Sequence, residues 1–149
     1  MNIEKLNNFL RQLDRNYDIN AGGCCFVAFC LAAQCKHYGI PYSIVAIGDY
    51  NISKYTLRYN LRTNSYGYTN DEVGNHYFLK VNGEYVNKGD FLLSRYCVNE
   101  CKCVEPEHIL QVYRDGYWND MYNSENNLRI YKLIKNYFRN EEKERTSSR

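Results

Sequence analysis

The chain has 149 residues with a formal net charge of +2, from 19 basic and 17 acidic side chains. This length is sufficient for one domain whose hydrophobic core folds without disulfides or structural metals. The basic residues are scattered rather than collected in a stripe, so nucleic acid is not an expected partner. No run approaches the roughly 18 apolar residues of a membrane span, and the first residues lack the pattern of a secretory signal. We therefore expect a soluble protein that is not exported and has no membrane partner.

Seven cysteines are present, and four of them lie in or beside one apolar segment: Cys24, Cys25, Cys30 and Cys35. An odd number of cysteines at such spacings is not typical of a disulfide framework. Free thiols persist in reducing compartments. The cysteine pattern therefore predicts a cytoplasmic location.

Two helices are predicted in the first 40 residues. Apolar residues recur every three or four positions from Ile3 to Leu13, which predicts an amphipathic helix ending near Asp14. A polar loop through Asn20 leads to two glycines and then to the most apolar segment, residues 24–38. Gly39 and Pro41 are typical helix-stop signals, so this segment is predicted to be the second helix.

A small sheet is predicted next. Residues 42–47 form an apolar, β-branched run typical of an interior strand. The runs 76–81 and 84–87 flank Asn82-Gly83, the preferred pair for a type I′ hairpin turn. Between these elements, residues 55–59 are predicted as a strand and residues 65–72 as a polar loop.

Two helices are predicted in the part of the chain that follows the hairpin. A short helix is expected over residues 106–113, and a final helix is indicated by the apolar residues Leu128, Ile130, Leu133, Ile134, Tyr137 and Phe138. The charged residues 141–149 are predicted to be a disordered tail. The fold class is therefore α+β, with one domain spanning residues 1–140.

Cys24 has the position of an activated thiol. A helix N-terminus offers unsatisfied N–H groups and the positive end of the helix dipole, and both stabilise a thiolate. At about 100° per residue, Ala28, Leu31 and Cys35 lie on the same side as Cys24. This side is predicted to be the buried one, facing the sheet. Cys25 lies one step round the helix and is the alternative nucleophile.

His76 is the histidine best placed to act as a base. His37 lies in the last turn of the second helix, about 20 Å from its start, and His108 lies in a late polar segment. His76 begins the predicted hairpin. Pairing across the turn places Asn87 on the His76 face, where its amide can accept the imidazole N–H and set the tautomer. Asp90 is the alternative orienting residue.

These residues resemble a known family. Gly23-Cys24, Ala28 and the closing Gly39-Ile40-Pro41 are similar to the nucleophile helix of transglutaminase-like and related papain-like cysteine enzymes. The strand led by His76 and the hairpin that returns Asn87 resemble the second and third catalytic elements of that family. The family's Trp after the histidine is replaced here by Phe78, and Asn87 stands where transglutaminase-like members usually have Asp.

The resemblance implies a fold and a reaction. The expected fold is papain-like, with the nucleophile helix packed on a small antiparallel sheet and flanked by N- and C-terminal helices. Cys24 is implied as nucleophile, His76 as general base and acid, and Asn87 as orienting residue. Such a triad performs acyl transfer or amide hydrolysis on a protein or peptide substrate, as a peptidase, deamidase or transglutaminase-like enzyme. No cofactor is expected. The oxyanion would be bound by the Cys24 backbone N–H and by Asn20.

Other interpretations of the same residues are possible. A buried cysteine at a helix start is commonly a small core residue, and adjacent Cys24 and Cys25 could form a redox-sensitive pair. Cys97, Cys101 and Cys103, with His108 nearby, could suggest zinc, but their spacing lacks the usual Cys-x-x-Cys pair, so no metal is expected. A catalytically silent papain-like module, viral or bacterial, that captures a partner protein is the alternative function.

Overall fold

The computed structural model describes residues 1–20, 24–48, 76–101, 106–107 and 125–147, except for the side chains of residues 25, 99 and 101. Within these ranges the fold is α+β. Three helices are present: α1 (Ile3–Tyr17), α2 (Cys24–His37) and α3 (Glu125–Ser147). The strands are β1 (Tyr42–Gly48), β2 (His76–Val81), β3 (Glu84–Val86) and β4 (Cys97–Cys101), with a short 3-10 helix at Leu93–Arg95.

The four strands form one antiparallel sheet in the order β3-β2-β1-β4. β1 and β2 are therefore interior strands, as predicted. The β2-β3 hairpin has the predicted register, with Leu79 opposite Val86 and Val81 opposite Glu84. Both turn residues have positive φ, 51° at Asn82 and 83° at Gly83, which is the backbone that a type I′ turn requires.

α2 is surrounded by the rest of the protein. Every residue from Phe26 to Cys35 is buried, and exposure begins only at Lys36 and His37. The helix contacts β1, β2 and α3. The prediction that α2 has a single buried side is therefore wrong, because even Gln34, placed on the opposite side, is only 5% exposed. The direction of a side chain around this helix cannot separate Cys24 from Cys25.

The sheet has two faces with different surroundings. The helical face, formed by Leu79, Val81 and Val86, packs in the same core as α2 and α3. The aromatic face is formed by Val45, Ile47 and Phe78, against which Tyr85, Phe91, Leu93 and Tyr96 pack. Alternation along β2 places His76 on the aromatic face together with Phe78.

α3 is longer than the sequence pattern predicts. Ile130, Ile134 and Phe138 are buried at helical spacing, which confirms the predicted apolar stripe. The helix then continues to Ser147, whereas residues 141–149 were predicted to be disordered. Lys5 of α1 donates to Glu141 at 2.5 Å, and Arg145 pairs with Glu142 at 2.8 Å. These polar contacts and the good helix formers in this segment favour the continued helix.

Two other boundaries differ from the prediction. α1 continues for one further turn past Asp14 and ends at Asp18, whose left-handed backbone caps the helix. β4 was not predicted as a strand. The predicted elements at residues 55–59 and 65–72, and most of the helix at 106–113, lie outside the described residues. Of the helices described, none combines the length and apolarity needed to cross a bilayer.

Candidate functional site

The site is built around the imidazole of His76, the first residue of β2. Its side chain is buried, with 3% of the residue surface exposed. The ring stacks on Phe78 at 5.4 Å between centroids and on Phe91 at 4.9 Å. Two stacked aromatic neighbours at these distances fix the plane of the His76 ring. With both faces of the His76 ring stacked, its two nitrogens are the atoms that can make polar contacts.

One ring nitrogen of His76 is bonded to Asn87. The Nε2 atom lies 2.6 Å from the backbone carbonyl oxygen of Asn87. A carbonyl oxygen can only accept, so Nε2 is the protonated nitrogen, and in the neutral ring Nδ1 has the free lone pair. The structure brings Asn87 into hydrogen-bond contact with His76, as the hairpin register predicts. The predicted group, the side-chain amide, is wrong.

The backbone conformation of Asn87 explains why its carbonyl, and not its side-chain amide, binds His76. The ladder of β3 ends at Val86, and Asn87 adopts a left-handed conformation with φ of 65°. Asn is among the few residues that tolerate this region. The turn removes Asn87 from the strand alternation that was used to place its side chain beside His76, and it aims the carbonyl at the imidazole instead.

The Asn87 side chain is paired with Asn20. The Asn87 amide nitrogen donates to Asn20 Oδ1 at 3.1 Å, and the Asn20 amide nitrogen donates to Asn87 Oδ1 at 3.3 Å. Asn20 was predicted to be an oxyanion donor. The structure places one of its amide hydrogens on Asn87, so this side chain connects the loop before α2 to the carbonyl that orients His76.

Asn7 of α1 completes the set of contacts at Asn87. Its Oδ1 accepts from the Asn87 backbone N–H at 2.8 Å, and its amide nitrogen donates to the Tyr85 carbonyl at 3.0 Å. The Asn7 amide therefore satisfies two backbone groups that a further strand would otherwise bind. The backbone N–H, backbone carbonyl and side-chain amide of Asn87 all have partners, so this residue is tightly positioned.

A carboxylate lies behind these amides. Asp14, near the end of α1, accepts a hydrogen bond from the Asn20 backbone N–H at 2.9 Å. Burial lowers the pKa of His76, while its hydrogen bond to Asn87 and the negative charge of Asp14 act in the opposite direction. His76 is therefore a neutral base near pH 7, with Asp14 as the acidic group that favours its protonated form.

Cys24 begins α2, is partly exposed and is not part of a disulfide. The C-terminal end of α2 lies near the turn of the hairpin. Tyr38 to Pro41 line a cavity together with Asn82, at the turn end of the hairpin, and Tyr42 pairs with Val81. α2 rises about 20 Å over its length and β2 spans a similar distance. With α2 running along β2, which it contacts, Cys24 would lie towards the end of the sheet where β2 begins with His76.

The two groups do not share a side of the sheet. α2 packs on the helical face, whereas the His76 ring is stacked on the aromatic face. Strand alternation places the even-numbered residues of β2, including His76, away from α2. Any approach of thiol and imidazole has to occur around the first residue of β2, beyond the edge of the packed faces.

The other proposed residues have simpler positions. Asp90, the alternative orienting residue, lies in an exposed turn next to Phe91, and the carboxylate whose charge acts on His76 is Asp14 instead. The side chain of Cys25 lies outside the described residues. Of the cysteines considered for zinc, Cys97 is described on β4 as a partly exposed free thiol. Within the described ranges no group of three metal-binding side chains is present.

Asp14 and Asn7 are the site residues that the sequence analysis missed. Both lie on α1, which was interpreted only by its apolar stripe. The polar residues between the apolar positions of an amphipathic helix are expected to face solvent. No local signal distinguishes Asn7 from its exposed neighbour Asn8, because its role depends on the packing of α1 against β3.

The comparisons with known proteins add no relative. No family model matches the chain, no curated protein is similar to it, and no solved structure matches its fold.

Proposed function

We propose that the chain is a thiol enzyme that performs acyl transfer or amide hydrolysis on a protein or peptide substrate, with a papain-like arrangement of its groups. Cys24 is the nucleophile and His76 is the general base and acid. Asn87 orients His76 through its backbone carbonyl. No cofactor takes part.

One observation supports this assignment most strongly. The buried His76 donates from Nε2 to a positioned carbonyl at 2.6 Å, which leaves Nδ1 as the basic nitrogen. Burial lowers the pKa of this imidazole, so the base is unprotonated near neutral pH. A fixed tautomer, a neutral ring and a nearby acidic group are the features that a general base requires.

The reaction follows from these groups. His76 Nδ1 takes the proton of the Cys24 thiol as the sulfur attacks the substrate carbonyl carbon. The carbon–nitrogen bond then breaks, and the same proton passes from Nδ1 to the departing amine. A thioester joins the acyl group to Cys24. Water, or a second amine, gives its proton to Nδ1, attacks the thioester, and releases the acid or the new amide with return of the proton to sulfur.

The helix start supplies the remaining requirement. The Cys24 backbone N–H belongs to the first turn of α2, where backbone N–H groups point towards the helix N-terminus. A developing oxyanion beside Cys24 would be stabilised there by this N–H group and by the helix dipole. Asn20 stays a proposed second donor, because the second hydrogen of its amide nitrogen is available for this contact.

Selective alkylation tests the proposal. The folded protein is treated with iodoacetamide at about pH 6, and the modified cysteines are identified by peptide mass spectrometry. We expect Cys24 to react at least tenfold faster than Cys97, a free thiol of similar partial exposure on β4. Cys35 should not react, because burial raises its pKa to about 12. Equal rates at Cys24 and Cys97 would refute the catalytic assignment.

Variants separate the roles of the groups. His76→Gln should slow the alkylation of Cys24 and leave Cys97 unchanged, and its unfolding transition establishes that the variant is folded. His37→Gln, at the exposed end of α2, is the matched control and should have no effect. Cys24→Ser and Cys25→Ser identify which of the adjacent thiols reacts. Loss of the rapid phase only in Cys25→Ser would transfer the nucleophile role to Cys25.

A silent binding module is the second candidate. The stacking of His76 between Phe78 and Phe91, on the face opposite α2, favours it. Such packing is also typical of a histidine that stabilises an aromatic cluster. A module of this kind would show ordinary thiol rates at Cys24 while its fold stays intact. The alkylation experiment therefore distinguishes the two functions directly.

A further inference from the structure

The described residues contain a continuous polar connection between α1 and the imidazole. The Asp14 carboxylate accepts from the Asn20 backbone N–H, and the Asn20 side-chain oxygen accepts from the Asn87 amide nitrogen. The Asn87 backbone carbonyl in turn accepts from His76 Nε2. Each bond lies between 2.6 and 3.1 Å along this path. Such distances are those of well-formed hydrogen bonds. The sequence positions span residues 14 to 87, so the connection exists only in the folded chain.

We propose that Asp14 is a positioning residue of the same reaction, which holds Asn20 beside Asn87 and stabilises the protonated form of His76 by its charge. This inference depends on the proposed function. Asp14 touches neither the substrate nor the thiol. Asp14 binds the Asn20 backbone N–H by a hydrogen bond, and its negative charge acts on the His76 imidazole.

The need for a negative group follows from the chemistry. When His76 takes the thiol proton, a positive charge develops in a buried aromatic setting, and burial penalises that charge. The Asn87 carbonyl supplies only a dipole. A carboxylate near the ring stabilises the imidazolium and lowers the energy of the proton transfer. Asp14 provides this charge from α1, in place of a carboxylate bonded directly to the ring.

Among the described residues, the other charged groups around His76 do not perform this role. The Lys88 ammonium donates to the carbonyls of Gly89 and Phe91, and its charge would oppose protonation. Asp90 is exposed in the turn that precedes Phe91. Tyr85 and Tyr96 reach the aromatic face as phenol side chains, and the β1 partner of His76 is the apolar Ile47.

The test uses Asp14→Asn in the full chain. The variant keeps an oxygen that accepts from the Asn20 N–H and removes only the charge. NMR titration of the His76 imidazole should show a decrease of its pKa by roughly 0.3 to 1 pH unit, the size expected for loss of one nearby screened charge. The alkylation rate of Cys24 should fall, and its pH profile should shift in the same direction. Asp14→Glu should restore part of both.

Two carboxylates provide matched controls. Asp18 lies four residues later at the exposed end of α1, and Asn is equally compatible with its left-handed backbone. Asp18→Asn and Asp90→Asn should leave the His76 titration unchanged. A wild-type His76 titration in Asp14→Asn, or equal shifts in all three variants, would overturn the inference.

Failure of the proposed function gives a different result. If wild-type Cys24 reacts no faster than Cys97, the enzyme assignment fails, and the role of Asp14 in a reaction fails with it. If Cys24 is fast in the wild type and its pH profile is identical in Asp14→Asn, only the role of Asp14 is rejected. The titration and the alkylation therefore separate the two proposals.

Discussion

The helical face and the aromatic face of the sheet differ in the kind of side chain that they bury. On the helical face, Leu79 and Val81 meet a helix that is buried on every side. On the aromatic face, rings surround the buried imidazole of His76. The first face provides the stability of the fold, and the second provides a site where one polar group is fixed among apolar neighbours.

The difference shows where chemistry is compatible with this fold. Cys30 and Cys35 lie within α2, where burial removes thiol reactivity and raises the pKa of Cys35 to about 12. Cys24 is partly exposed because it begins the helix. The polar side chains of α1 and of the loop before α2 gather at this end of the sheet. Reactive groups are therefore expected only where the packed core ends.

The largest expected effect comes from the helical face. Leu31→Ala removes a side chain that is 1% exposed in α2 and should lower the free energy of unfolding by about 2–5 kcal/mol. Chemical denaturation measures this loss. The His76 titration should be unchanged, because the imidazole lies on the other face. Leu128→Ala, where Leu128 is 43% exposed on α3, is the control and should cost less than about 1 kcal/mol. Similar losses in both variants would contradict the assigned core.

A smaller loss of stability is expected at Asn87, the residue that follows β3 and binds His76. Asn87→Ala removes the amide pair with Asn20 and places Ala at a φ of 65°. Asn82→Ala imposes a similar backbone penalty, at a φ of 51°, in an exposed turn. The backbone term is about 1–2 kcal/mol for each, so the difference between the variants measures the part-buried amide pair of Asn87 and Asn20.

We expect Asn87→Ala to be the less stable variant by roughly 0.5–1.5 kcal/mol, the net contribution of a typical hydrogen bond, because Asn20 is exposed and water can replace its lost partner. Denaturation of both variants under one condition provides the comparison. Equal destabilisation would mean that the pair between Asn87 and Asn20 does not stabilise the fold and does not position the site.

The sequence predicts the elements of this fold better than their arrangement. α2, β1 and the hairpin have strong local signals: an apolar run closed by Gly39, a β-branched strand, and Asn82-Gly83. β4 escapes prediction because it is a short edge strand with an exposed Val98 and Glu100 and no clear alternation. The strand order depends on long-range pairing that no local pattern contains.

The same limit applies to the site. His76 and Asn87 are predictable as neighbours because both belong to one hairpin of known register. The bond through the Asn87 carbonyl is not predictable, since it depends on the left-handed turn that ends β3. Asn7 and Asp14 belong to a helix whose docking on β3 is a property of the tertiary structure. A search limited to sequence neighbours of Cys24 and His76 therefore finds Asn20 and Asn87 but neither Asn7 nor Asp14.

The smallest expected effect is the pH dependence that His76 gives to stability. Burial lowers the pKa of this residue in the folded protein below its ordinary value of 6.5, so between these two values the unfolded chain binds more protons than the folded one. Its contribution to stability is therefore complete above about pH 6.5 and is lost as the pH falls below that value, with a slope of at most about 1.4 kcal/mol per pH unit.

Other groups also titrate in this range, so the contribution of His76 has to be isolated by difference. Denaturation curves from pH 7.5 to 5 for the wild type and for His76→Gln should diverge in slope below pH 6.5, with the wild type steeper. His37→Gln, which removes an exposed imidazole at the end of α2, should keep the wild-type slope. Parallel curves for the wild type and His76→Gln would mean that the imidazole is hydrated in the folded state. The aromatic face would then no longer be a site that excludes water, and the distinction between the two faces would be lost.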